Sequence, residues 1–506
     1  MTTNLAHPPA ADRAGRKEWT ALAVLMLPLL LVSMDVSVLY FAIPAISADL
    51  EPSGTQQLWM FDIYAFVLAG LLMTMGSLGD RIGRRKLLLF GATAFGAASV
   101  AAAYASSPGM LIAARAVLGI GGATLMPSTM ALVRTMFTDA GQRAKAIGIW
   151  SGVMVAGIAL GSVLSGVLVE FFWWGSVFLV NLPAMVLLLL LAPVLIPESK
   201  DPDPGRFDAL SVPLSMAAVL PLVYALKEFA AEGVRPQYVV SLAVGLAFAV
   251  LFVRRQRTAA SPLISPALFR RGFGSAVSLN LISSFAMMGS AYFTTQYLQS
   301  VLGKSALEAA LWALLPSVPI GFAAPAAVAL VQRGANRAYV VAGGFTLSAC
   351  GYGILALAGT NSLWTVLGAA GVLACGAAVV TSQLTDLALG AAPAEKAGAA
   401  SSLLETGQEF GGALGMAVLG SIGTGVYGHE VPGGAPDTLG GALAAADQLP
   451  PAAGAALAAA ARSAFTSGMH VAAVVGAVVL LAAGALAARA LRDSPTRPPS
   501  SGGCAP

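Results

Sequence analysis

Fourteen stretches of apolar sequence, each long enough to cross a bilayer, follow one another along this 506-residue chain. A hydrocarbon core of about 30 Å needs roughly 20 residues of helix, and with that ruler the expected spans are 20–44, 57–79, 86–106, 109–134, 143–168, 172–196, 209–228, 237–254, 275–300, 307–332, 338–358, 364–388, 397–424 and 466–490. No soluble core absorbs that much apolar helix. Charged residues make up only 10% of the chain, where a soluble domain needs about 25% to cover its surface. The expected class is therefore an all-α polytopic membrane protein. The first apolar run, from Thr20, has no small-residue cleavage site and reads as a retained span.

The charges that remain are placed asymmetrically. With an even number of spans both termini fall on one side. Putting the N-terminal arm in the cytoplasm places 23 of the 28 Lys and Arg in cytoplasmic segments. It leaves four outside (Lys227, Arg235, Lys304 and Arg462) and Arg115 alone within a span. That is the positive-inside pattern, and it accounts for the net charge of +4. The basic residues form no patch with interleaved aromatics, so no nucleic-acid partner is expected. Cys350, Cys375 and Cys504 are scattered and give neither a disulfide framework nor a metal spacing.

Composition shifts divide the chain. An N-terminal arm (1–19) leads into six spans (20–196), and a Pro-rich polar linker follows (197–208). Two further spans (209–254) and a basic link (255–274) precede a second set of six (275–490), interrupted by a Gly/Ala/Pro loop (425–465). A short surface helix is expected at Ala452–Ala461, and a tail (491–506) closes the chain. Gln332–Gly343 echoes Asp80–Gly91, with Arg333 on Arg81 and Arg337 on Arg85. Such an echo fits the duplicated halves common among transporters.

The densest charge lies in Gly76–Leu89, where Asp80, Arg81, Arg84, Arg85 and Lys86 crowd a turn between two apolar runs. Gly76-Ser-Leu-Gly79-Asp80-Arg81-Ile-Gly83-Arg84-Arg85-Lys86 resembles the signature loop after the second helix of the major facilitator superfamily. Met34–Val38 through Pro44 resembles the first-helix motif of its fourteen-span drug:proton antiporters. Arg115–Gly122 resembles the fourth-helix motif that carries an intramembrane arginine. Gly152–Gly166 resembles the fifth-helix antiporter motif, with Ser162 where that motif has proline. The resemblance implies two six-helix bundles with two inserted helices and cytoplasmic termini. It also implies a conformational latch at Gly76, Gly79, Asp80, Arg81, Gly83, Arg84 and Arg85.

The few ionisable residues within the spans are costly unless they face a polar interior. Asp35, in span 1, suits either a structural hydrogen bond or a cavity carboxylate that holds a proton or pairs with a cation. Arg115 cannot be discharged and needs a partner. It suits a structural salt bridge or a part in proton coupling, and the resemblance implies the latter for both residues. Asp62 lies near the outer end of span 2, either hydrated or contacting a cationic substrate with Trp59 and Tyr64 nearby. Glu405 and Glu409 share one face of span 13, where adjacent carboxylates resist joint ionisation unless a cation joins them. The alternative for this pair is simple hydration near the cytoplasmic end. Gly148/Gly152 and Gly157/Gly161, with Gly166, read as close-packing positions of span 5.

No phosphate loop, nucleophile elbow or dinucleotide fingerprint is present, so neither an enzyme nor a cofactor is expected. The expectation is proton-coupled export of amphipathic, cationic compounds by a monomer of the inner (cytoplasmic) membrane. A dedicated exporter of one metabolite or antibiotic would use the same fold. A non-transporting receptor would have no use for buried Asp35 and Arg115.

Overall fold

The computed structural model describes residues 14–200, 208, 210–259, 272–391 and 397–492. The expected arm up to residue 13, most of the Pro-rich linker, the bulk of the basic link and the tail from 493 lie outside the described residues, as do Arg206, Arg270, Arg271 and Lys396. Six helices come first: α1 (Arg16–Leu50), α2 (Gly54–Ile82), α3 (Arg84–Ala103), α4 (Pro108–Met136), α5 (Ala140–Phe171) and α6 (Ser176–Leu195, with a tight turn at Val180). Two follow, α7 (Ser211–Glu232) and α8 (Pro236–Thr258). Then come α9 (Phe273–Val301, ending in a π turn), α10 (Ala306–Gln332), α11 (Arg337–Leu355), α12 (Leu363–Ala391) and α13 (Ala397–Glu430). A short α14 (Leu439–Asp447) precedes α15 (Pro451–Ala490). Thirteen of these are long and apolar enough to cross a membrane, fourteen once α2, bent by 52° between Leu72 and Thr74, is taken as one span. An even number of crossings returns the chain to the end where it began, the end carrying the Gly83 turn.

Helix starts are marked by local chemistry. Ser53, Ser107, Asp139, Ser305, Asn336 and Thr438 each accept a backbone N–H in the first turn of the helix they precede. Pro28, Pro44 and Pro127 sit inside α1 and α4, which is tolerated because neighbouring helices bury the interrupted backbone.

Three boundaries differ from expectation. The outer loop is shorter than 425–465, because α13 runs to Glu430 and α15 begins at Pro451. Ala452–Ala461 is thus the first part of α15, while the short helix lies at 439–447. The physical reason is that an alanine-rich helical run with no interior proline propagates into the next apolar segment. Arg462 consequently lies within α15, donating from Nε to Ser300 O at 3.1 Å. The basic link also starts later, since α8 continues to Thr258 and Arg255 turns back onto Asp208.

α1 packs along α5, α2 and α3 along α4, and α3 against α6. In the second half α9 packs on α13 and α12, and α11 on α12 and α15. The two halves meet along α2–α13 and α5–α10. The α7–α8 hairpin lies outside this pair, with α7 against both α2 and α13 and thus over one seam. Phe66, Val223, Ala413 and Ala417 form a separate apolar cluster there, one or two residues from each of the three helices.

Asp208 pins the other end of that hairpin. Its Oδ1 accepts Arg255 Nε at 2.8 Å and Nη2 at 2.6 Å, and Ser211 donates to it from both backbone and hydroxyl. Burial pushes this carboxyl up, but the Arg255 and Ser211 hydrogen bonds outweigh it and hold the group below its ordinary 3.8. A depressed carboxylate contributes stability above its unfolded value that is lost as pH falls through the folded one. Asp208→Asn is expected to cost about 1–2 kcal/mol at pH 7. Acidification below the ordinary value should cost the wild type this increment and leave the variant unaffected. Thermal unfolding in detergent at several pH values checks this, and parallel curves would refute it.

Candidate functional site

α2 distributes two buried charge systems to its two faces. Met60 and Tyr64, one turn apart, face α4. Trp59 and Asp62, three residues apart, face α7. Tyr64 is thus separated from Asp62, which corrects the expected Trp59–Asp62–Tyr64 grouping.

On the first face, Arg115 of α4 pairs with Asp35 of α1 through Nη1 and Oδ2. The arginine also donates from Nε to Met60 O at 3.1 Å, and its guanidinium lies 4.7 Å from the centre of the Tyr64 ring. Both charged side chains are almost wholly buried. A desolvated charge in this setting is stable only when paired and hydrogen-bonded, and Arg115 has both. The glycines of the Arg115–Gly122 stretch make the approach possible. A Cβ on Gly119 would sit 2.7 Å from Tyr64 O, and one on Gly122 3.0 Å from the Tyr64 hydroxyl. These glycines lie four and seven residues after Arg115, on the same helix face.

On the second face, Asp62 is not hydrated near an interface but fully buried, with Lys227 Nζ of α7 at 2.7 Å. The same ammonium lies 4.1 Å from the centre of the Trp59 ring. Lys227, at the end of the expected span 209–228, counts as an outside cation in the sequence. It lies instead inside α7, so Arg115 is not the only cation within a span. The signal that would have found it is that Phe229, Ala230 and Ala231 carry the apolar stretch on beyond the Lys227–Glu228 pair.

Glu405 and Glu409 approach from α13 in the second half. They are partly buried, and Glu409 interacts electrostatically with Tyr40 and Tyr64, which places its carboxyl toward the Asp35–Arg115 pair. Glu405 interacts electrostatically with Glu409, and its buried Oε1 has no hydrogen-bond partner among the described residues. The described interior thus holds two compensated acids, Asp35 and Asp62, and two further acids from the other bundle, of which Glu409 lies toward the Asp35–Arg115 pair and Glu405 beside Glu409.

The end opposite the Gly83 turn is closed by aromatic packing between the halves. Tyr40 and Phe61 have ring centres 5.0 Å apart, and Phe61 and Tyr292 5.7 Å. Gln57 Nε2 donates to the Tyr292 hydroxyl at 3.4 Å, and Gln299 Nε2 to Tyr40 O at 3.1 Å. Sequence reasoning missed this plug, because its contacts between the halves join residues 231 to 259 apart and no local pattern links them. Trp174 is buried and donates to Asp49 Oδ2 at 2.8 Å, while the adjacent Trp173 is exposed.

At the other end, Gly83 takes φ +111°, a conformation that disfavours any side chain. A Cβ there would meet Glu198 Oε1 at 2.6 Å. Asp80 pairs with Arg84, whose backbone N–H donates to Ser199 O at 2.8 Å. Arg85 donates from Nη1 to Pro193 O and Ile196 O and from its backbone to Glu198. Gly79 lies against Arg84 and Leu87, Gly76 against Pro127, and Arg81 is half-buried. These contacts tie the α2–α3 turn to the end of α6, within one bundle. In α5, a Cβ on Gly157 or Gly161 would clash with α1, and one on Gly166 with Leu307 of α10. Gly152 corrects the expectation. It is exposed with open space at its Cβ, because it lies on the side of α5 turned from α1.

The family model described as Major Facilitator Superfamily matches residues 25–416. The multidrug efflux pump LfrA of Mycolicibacterium smegmatis is 42% identical, over 97% of this chain and 100% of its own. The methyl viologen resistance protein SmvA of Salmonella typhimurium is 35% identical, over 92% and 97%. The tetracenomycin C resistance and export protein of Streptomyces glaucescens is 32% identical, over 95% and 93%. Among solved structures, a bacterial homolog of the human lysosomal transporter Spinster in an inward-facing, unoccupied conformation superposes with a TM-score of 0.68 at 19% identity. That match covers 95% of this chain and 99% of the other.

Proposed function

The chain belongs to the major facilitator superfamily, and on that footing we propose that it exports amphipathic, cationic compounds from the cell in exchange for protons. It is a multi-pass protein of the bacterial inner membrane, and we place the Gly83 turn and both termini in the cytoplasm, as the distribution of Lys and Arg favours. It works as a monomer. The relatives that match over nearly its whole length include a multidrug pump and a methyl viologen resistance protein, which supports export of drugs and a preference for cations.

The observation that carries the reading is that Glu409 of one bundle, with Glu405 one turn away, shares the surroundings of Tyr40 and Tyr64 with the Asp35–Arg115 pair of the other. Asp35 exchanges the proton, and Arg115 compensates its charge when the proton is away. Glu405 and Glu409 receive the cargo, since two carboxylates within one turn are best satisfied by added positive charge. Cargo and proton then compete for one net-negative interior, which is what antiport requires. The aromatic plug seals the outer side in this state, and the Gly83 turn braces α2, α3 and α6 as one unit while the bundles rock.

Proteoliposomes carrying a pH-sensitive dye inside test the coupling. A cation added on the substrate side is expected to drive proton movement in the opposite direction, and cation flux without proton movement would overturn it. Replacing both Glu405 and Glu409 by Gln is expected to raise the transport KM of a dication about tenfold, or about 1.4 kcal/mol. A monocation should be affected less, because it loses one charge contact where the dication loses two. Equal losses would assign these residues to coupling rather than to cargo.

A further inference from the structure

Asp62, Trp59 and Lys227 form an arrangement that the coupling scheme above does not use. A carboxylate and an indole face converge on one ammonium, at 2.7 Å from the carboxylate oxygen and 4.1 Å from the ring centre, with the ammonium and the carboxylate both buried. This is the chemistry that recognises an organic cation: a counter-charge for selectivity and an electron-rich face for desolvated contact. Here the protein supplies the cation itself, on a side chain from α7 outside the two bundles.

The box also lies where cargo would pass. Asp62 interacts electrostatically with Tyr40 and Tyr292, two members of the aromatic plug between the halves. α7 rests on α2 and α13 together, so Lys227 enters through a seam that must change when the bundles rock. A buried ion pair is a poor way to gain stability, since two apolar side chains of similar size do as well or better. Retaining one at this seam calls for another role.

We propose that Lys227 is a resident cation that occupies the Asp62–Trp59 box in place of cargo, so that helix α7 determines which organic cations the box admits. A cargo cation enters only by displacing the lysine ammonium. The flexible lysine stem allows that withdrawal, and the neighbouring Glu228, already in electrostatic contact with Lys227, offers the ammonium a second partner. Weakly binding cations are excluded by this competition, and large aromatic ones that gain more from Trp59 are admitted. This inference rests on the reading of a cationic cargo and adds the residue that selects it.

The test is calorimetric titration of the purified full-length protein in detergent with tetraphenylphosphonium. Lys227→Met is expected to bind it roughly tenfold more tightly than the wild type, the change expected from a freed cation–π site. Lys227→Met combined with Asp62→Asn should lose that gain, and Lys227→Arg should not show it. Equal affinity of wild type and Lys227→Met overturns the inference and leaves the cationic cargo standing. Binding to neither overturns both, and binding to Lys227→Met alone supports the box while removing the wild type's cationic cargo. Should Lys227→Met fail to fold, Lys227→Gln keeps a hydrogen-bond donor for Asp62 and is expected to gain about threefold. No gain there overturns the inference equally.

Discussion

Asp35→Asn is expected to reduce proton-driven efflux of an organic cation to the leak of empty liposomes while the protein still folds and reaches the membrane. The two halves of that expectation have separate causes. Asparagine has the shape of aspartate and its carbonyl oxygen still accepts a hydrogen bond from Arg115, so the α1–α4 contact survives, but the guanidinium loses its counter-charge and the cost is expected to be about 3–5 kcal/mol. It has no proton to exchange, so no gradient can act through it. Arg115→Met provides the contrast. It strands a buried carboxylate, which can discharge itself by taking up a proton as the guanidinium cannot, and so should cost less, about 1–3 kcal/mol of stability. Efflux by Asp35→Asn at the wild-type rate, measured with an imposed pH gradient, would remove Asp35 from the coupling scheme.

The second large effect concerns Gly161. Leucine at this position is expected to destabilise the protein by about 3 kcal/mol or more and to eliminate transport even in molecules that fold. A Cβ there lies 2.8 Å from both the Cα and the carbonyl oxygen of Met34, so the clash is with backbone and cannot be relieved by a rotamer change. α1 would have to move off α5 at the residue next to Asp35, and the Arg115 pairing moves with it. Gly152→Leu on the same helix should be close to neutral, since open space surrounds that position. Thermal unfolding and flux of the two variants side by side check the contrast. Similar behaviour of both would show that the α1–α5 contact does not control the site.

These two predictions separate what is legible in a sequence from what is not. The count of spans was legible, as was the concentration of charge at the α2–α3 turn. Crossing a bilayer is a local property, requiring about 20 apolar residues and backbone hydrogen bonds closed within the segment. The candidate charges Asp35, Arg115, Glu405 and Glu409 were legible for the same reason, since an ionisable residue inside an apolar run is visible without knowing its neighbours. Helix ends were less so. Lys227 falls at the end of its expected span and counts as outside, because a cation reads as a boundary unless its partner is known, and Ala452–Ala461 reads as separate from the helix that it begins.

Only the tertiary structure decided the pairings. A helix offers every side chain one of many directions, and which residue meets which depends on how each helix is rotated and tilted against others far away in sequence. That is why Gly152 and Gly161, equivalent in the sequence pattern, differ in space, and why Asp62 and Tyr64, two residues apart, serve opposite faces of α2. The chain alone determined a many-spanned membrane protein with a few costly charges in its interior. Packing decided that Asp35 is answered by Arg115, that Glu409 faces that pair from the other bundle, and that Asp62 is answered by a lysine from the inserted hairpin. The reason is that a buried charge is stable only beside its counterpart, and the counterpart is chosen by the fold.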